Sequence, residues 1–150
     1  MRRSQAILRM PVNSVLATLI LHDGERCDVL LFIAAGEDIT RLISPGDPFV
    51  PMIKHAKFCL VARPAIAALG IVAGAEAPDD GGLPITRQRV RVRLRSGTAL
   101  EGEARWHASE VYKRTSDYVN DASAYIVVHA NQPQPTYYVA KSQVATVEEI

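Results

Sequence analysis

Five arginines carry the most chemically suggestive pattern in the chain. Arg87, Arg89, Arg91, Arg93 and Arg95 alternate with Gln88, Val90, Val92 and Leu94, and a period of two puts all five guanidiniums on one face of a strand. Such a row can track phosphates or an acidic protein surface. It can equally form a solvated ladder with Glu101 and Glu103 on the returning strand, where exposed pairs worth about 0–1 kcal/mol each neutralise much of the field. A second group is Arg114, Asp117, Tyr118 and Asn120. It reads either as a recognition surface at the rim of a fold, or as a capped helical turn in which Arg114 pairs with Asp117 three positions on. The candidates for binding a partner or RNA are thus Arg87, Arg89, Arg95, Arg114, Asp117, Tyr118 and Asn120. Tyr118, Tyr125 and Trp106 could stack bases, and a core role explains them equally well.

For catalysis the residues offer little. No nucleophile with a base and an orienting group stands out, nor a pair of carboxylates in a closed pocket. His22, His55, His107 and His129 occur singly, without His-x-His or Cys-x-x-Cys spacing, so no metal site is expected. The chain has no phosphate-binding glycine motif. Cys27 and Cys59 read as small buried hydrophobes. The expectation is a non-enzymatic protein without a cofactor.

The element that must carry the arginines is a hairpin, Arg87 to Ala104. A three-residue connection, Ser96-Gly97-Thr98, with Gly97 at positive φ, sets Leu94 opposite Leu100, Arg93 opposite Glu101 and Arg91 opposite Glu103, so that charge meets opposite charge. The same grammar occurs earlier: Val15 to Leu21, a turn with Gly24 in the place of Gly97, then Cys27 to Ile33. The match continues in order. Arg41 falls where Arg114 falls, Phe49 corresponds to Tyr125, Leu60-Val61-Ala62-Arg63 to Tyr138-Val139-Ala140-Lys141, and Ile66-Ala67-Ala68-Leu69 to Val144-Ala145-Thr146-Val147. Four ordered matches point to an internal duplication.

At 150 residues the chain has room for two units of roughly 60 residues, each marginal alone. The boundaries are residues 1–72 for the first, a Gly/Ala/Asp/Pro-rich linker over 73–83, and residues 84–150 for the second. Residues 4–10 read as a short helix or arm. A net charge of +1 gives no global pull toward nucleic acid. No apolar run reaches the roughly 18 residues that span a bilayer, so no membrane partner is expected and cytoplasm is the default location.

Two copies of about five short strands, each opening with an apolar strand and a Ser/Asp-Gly turn and closing with a paired short strand, resemble tandem small β-barrels of the Sm-like type. The resemblance implies a mainly β fold of two five-stranded barrels. Its nucleotide-cradling Asp-x-x-hydrophobic-Asn segment is matched in type by Asp117-Tyr118-Val119-Asn120, displaced by roughly nine residues. The first copy has Ser44-Pro45-Gly46-Asp47 in that region, and neither copy has the family's Arg-Gly segment.

In the first copy the outward strand face is apolar: Leu16, Ile20, Leu30 and Phe32 share it if Leu21 pairs with Cys27. A soluble chain covers such a face. This makes it the candidate assembly face, and a homo-oligomer or a protein-binding module is the expected function. An RNA-binding protein that uses the second copy is the alternative.

Overall fold

The computed structural model describes residues 12–34, 39–72, 84–107, 109, 113–130 and 134–150. The N-terminal arm expected over 4–10 and the linker over 73–83 lie outside these residues. The chain is mainly β, as expected. Strands β1 (Val12–Leu21), β2 (Arg26–Ala34), β3 (Phe49–Lys54), β4 (Lys57–Ala62) and β5 (Ile66–Ile71) are followed by β6 (Ile85–Leu94), β7 (Ala99–His107), β8 (Tyr125–Val128), β9 (Thr136–Ala140) and β10 (Val144–Glu149). Two short helices, α1 (Thr40–Ile43) and α2 (Thr115–Val119), interrupt the strands, and 3-10 turns Arg63–Ala65 and Lys141–Gln143 make the corners before β5 and β10.

The strands do not close into two barrels. They form a seven-stranded antiparallel sheet, β4-β3-β2-β1-β5-β9-β8, and a three-stranded one, β10-β6-β7. Among the described residues one isolated bridge joins the sheets: the Glu103 and His129 backbones exchange hydrogen bonds of 2.8 and 2.9 Å. Through it the second half runs β9-β8, bridge, β7-β6-β10, which is the order β4-β3-β2-β1-β5 of the first half. Both halves break register at the same place. In β5 the residue between Ile66 and Ala68 is skipped against β1, and in β10 the residue between Val144 and Thr146 is skipped against β6.

Both opening hairpins pair in a register offset by two residues from the expected one. Leu94 bonds Thr98, Val92 faces Leu100, Arg91 faces Glu101 and Arg89 faces Glu103. The loop is still three residues, but it is Arg95-Ser96-Gly97, with Gly97 at φ 99° as its last residue. That position is where a three-residue hairpin needs a left-handed conformation. The first hairpin is alike, with Gly24 at φ 94° and Cys27 opposite Leu19 rather than Leu21. A slip of two preserves which face each side chain takes. Hence Val90, Val92, Leu94, Leu100 and Val139 are buried as expected.

Two apolar cores result. One gathers Leu19, Val29, Leu31, Val50, Met52, Val61 and Leu69 from the first half. The other gathers Val90, Val92, Leu100, Trp106, Ile126, Val128 and Val139 from the second, together with Ile20, Ala67 and Ala68 from the first. Gly102 lets β7 and β8 meet, since a Cβ there would stand 2.3 Å from the carbonyl oxygen of His129. Gly102→Ala should therefore break the bridge and destabilise the second half by about 1–3 kcal/mol, the usual cost of overpacking. Urea unfolding followed by tryptophan fluorescence will read this at Trp106.

Candidate functional site

The arginine strand, β6, holds its row by simple alternation, and its neighbours engage most of it. Arg91 Nε donates to Glu101 Oε2 at 2.7 Å, and Arg93 Nε to Glu148 Oε1 at 3.2 Å on β10. Arg87 Nη1 reaches Glu103 Oε1 at 3.4 Å, a carboxylate that Arg105 also holds at 2.8 Å. Arg95 Nε donates to the Ser142 carbonyl at 2.7 Å. Arg89 is exposed. Arg105 is the main reason that the Glu103 carboxyl lies below the ordinary range. The register thus assigns Arg93 to Glu148 instead of Glu101, and Arg91 to Glu101 instead of Glu103. The sequence pointed to a ladder, and the third strand, β10, supplies one of its rungs.

The second group forms a local cap. Asp117 Oδ2 accepts the backbone N–H groups of Arg114 and Lys113 at 3.0 and 3.1 Å, and Arg114 Nη2 stands 3.4 Å from Asp117 Oδ1. The Arg114 side chain and these amides hold the Asp117 carboxyl below its usual range. Tyr118 faces inward. It stacks on the buried Trp106 with ring centroids 5.4 Å apart, and its hydroxyl accepts from the Val127 N–H at 3.3 Å; burial raises its pKa. The faces that the two rings turn to each other are therefore closed to a base. Tyr125 lies tilted against Tyr138 beside the first core. Asn120 is exposed and ends the helix, its backbone N–H donating to the Ser116 carbonyl at 3.1 Å.

Each short helix is tied to the corner beyond the fourth strand of its half by one cation. Arg63 donates to the carbonyls of Leu42, Ser44 and Asp47 around α1. Lys141 donates to the Asp121 carbonyl at 2.9 Å and to its carboxylate at 2.8 Å, just beyond α2. Burial works to raise the Asp121 pKa, but Lys141 and Ser123 outweigh it and hold it low. Sequence matching pairs Arg63 with Lys141 but gives no sign of what they hold.

The candidate assembly face divides. Ile20 is fully buried between Arg26 and Ala68 against the second core, because the second half covers that end of β1. Phe32 is half-buried. Leu16 and Leu30 stay exposed and begin a row that pairs across four strands, Leu16, Leu30, Ile53 and Phe58. Leu60, on the same face as Phe58, is 57% exposed, and Phe58 and Leu16 are 65% and 67% exposed. The sequence missed the β4 part of this surface, since Phe58 to Ala62 reads only as one strand among five. Among the described residues no helix is long and apolar enough to cross a membrane.

His129 sits half-buried beside the bridge, where burial first and then Arg105 push its pKa below 6.5. The unfolded chain then binds a proton that the folded chain resists, so stability is full above about pH 6.5 and falls as the pH drops through the lowered value. Asp117, Asp121 and Glu103, all held low, add losses further into acid. His129→Gln should flatten the first segment of this profile and leave the second, as measured by urea midpoints across the acid range.

Comparison with family models, with curated proteins and with solved structures returned no match for the chain.

Proposed function

We propose that the protein is a non-enzymatic assembly module. In this reading its two halves are duplicated five-stranded Sm-like units, and copies of the chain join edge to edge. The observation that carries the reading is the joint inside the chain. There β5 of the first half pairs with β9 of the second, Ala68 with Val139, Leu69 with Tyr138, Gly70 with Tyr137 and Ile71 with Thr136. The counterparts of those two strands, β10 and β4, stand at the outer edges of their sheets. A free edge is a template for another strand unless charge, proline or a cover blunts it. β4 has Lys57 at its start, but Phe58 and Leu60 beside it are exposed.

Carrying the internal register over by the sequence match sets Thr146 opposite Val61, Val147 opposite Leu60, Glu148 opposite Cys59 and Glu149 opposite Phe58 of the next copy. Side-chain sizes agree with this. Inside the chain Gly70 gives room to Tyr137, whose ring would lie 2.6 Å from any Cβ at that position. In the joint between copies the small Cys59 takes the tyrosine's place and Glu148 the glycine's. Such a contact is head-to-tail, so it closes into a ring or runs on as a fibre according to the rotation per copy.

The RNA-binding reading has less support. Four of the five arginines in the row, Arg87, Arg91 and Arg93 on β6 and Arg95 just after it, are engaged by carboxylates or a carbonyl, and Tyr118 and Trp106 stack on each other. Fluorescence anisotropy with short RNAs is expected to give no binding near physiological salt.

Glu148→Cys provides the direct test of the assembly. Under mild oxidation it should form head-to-tail disulfides with the native Cys59, seen as a ladder of multiples of the 16.4 kDa chain, and the ladder should vanish in Glu148→Cys/Cys59→Ser. Leu60→Lys, a change at an exposed position, should reduce the mass by light scattering to one chain without loss of folded signal. A wild-type chain that stays at 16.4 kDa at all concentrations overturns the reading.

A further inference from the structure

Three potential metal ligands, two neighbours in sequence and a third some thirty residues on, meet at one end of the first half. The β3–β4 connection is a two-residue turn, His55-Ala56, between the paired Lys54 and Lys57. Both turn residues have positive φ, 52° and 62°, as this tight turn type requires. Strand β2 pairs Val29 with Lys54, so Cys27, two residues earlier, runs level with the turn. Glu25, at the end of the β1–β2 loop, comes alongside. The carboxylate of Glu25, the Sγ of Cys27 and an imidazole nitrogen of His55 all lie within 4.8 Å of one another.

We propose that Glu25, Cys27 and His55 form a binding site for a thiophilic divalent cation of the Zn2+ type. The donor set selects the ion. One thiolate, one imidazole and one carboxylate suit Zn2+, whereas Ca2+ and Mg2+ take oxygen donors. Zn–S and Zn–N bonds of about 2.3 and 2.0–2.1 Å put tetrahedral donors roughly 3.5 Å apart. The remaining gap closes by rotating Glu25 and His55, both of which are exposed. Cys27 is half-buried and anchors the site on the sheet. Three protein donors leave a fourth position for water or an incoming ligand. Binding releases the Cys27 thiol proton to solvent and changes no oxidation state.

Lys54 sets a limit on this site. Its ammonium lies 2.9 Å from Glu25 Oε2 with the side chain only 19% exposed, so without a metal the lysine supplies the positive charge the carboxylate faces. A cation must compete with it, which predicts an affinity that rises when Lys54 is neutralised.

Co2+ added to the reduced full-length chain is the probe, because a cobalt–thiolate bond gives an intense near-ultraviolet band that Zn2+ should then abolish by displacement. The band is expected in the wild type and in Cys59→Ser, and is expected to be lost in Cys27→Ser. His55→Asn, which suits the turn's left-handed backbone but removes the imidazole, should weaken binding by about tenfold or more. Lys54→Gln should tighten it by roughly two- to fivefold, the scale of one partly exposed ion pair. No band in the wild type, a band that survives Cys27→Ser, or indifference to His55→Asn overturns the site. None of these results bears on the edge-to-edge assembly, which needs only β4 and β10.

Discussion

Four backbone pairings, Ala68 to Ile71 with Val139 to Thr136, make a single sheet out of strands from both halves, and much else in the structure follows from them. Units of this size bury too little surface to be secure alone. Joining β5 to β9 extends the hydrogen-bonded ladder and also lets side chains of one half complete the core of the other. Ile20, Ala67 and Ala68 enter the second core, while Tyr125 and Tyr138 lean on the first. Fully burying a residue such as Ile20 is worth about 1.5–3 kcal/mol, which is why the strand carrying it has apolar residues on both faces. At the rim of the joint Arg26 donates to the Tyr137 hydroxyl at 3.2 Å and lies over its ring.

The same joint determines what is left for function. It uses one edge of each half and leaves β4 and β10 as the outer strands. Exposed apolar side chains concentrate on the first half, at Leu16, Leu30, Phe49, Phe58 and Leu60, while the second half presents its arginine ladder. The charges that stand out in the sequence are thus largely satisfied within the fold. Among the described residues the outer strands β4 and β10 and the apolar face of the first half are what the fold leaves open, and the proposed assembly rests on these.

The short polar segments show how charge serves architecture here. Arg114 and Asp117 fix the start of α2, and Arg63 and Lys141 tie each helix region to a strand corner. These contacts are mostly to backbone carbonyls and amides, groups that would otherwise lack partners where the chain leaves a sheet. Glu25, Cys27 and His55 differ, since their donor atoms converge on one another.

From the sequence alone, alternation determined the strands and which face of each is buried, because side-chain direction in a strand depends only on parity. Val90, Val92, Leu94 and Leu100 are inside for that reason. The Arg114–Asp117 cap was legible as well, being a contact three residues apart. The tertiary structure alone decided register, since a slip of two leaves parity untouched: Arg93 therefore found Glu148 on a strand that local pairing does not bring into view. It also decided that the strands form open sheets, with the two halves joined through β5 and β9, instead of closing on themselves, that Ile20 is covered while Leu16 is not, and that Cys27 meets His55. Those outcomes depend on which strand edges pair over separations of tens of residues, and that choice is settled by the packing of the whole chain.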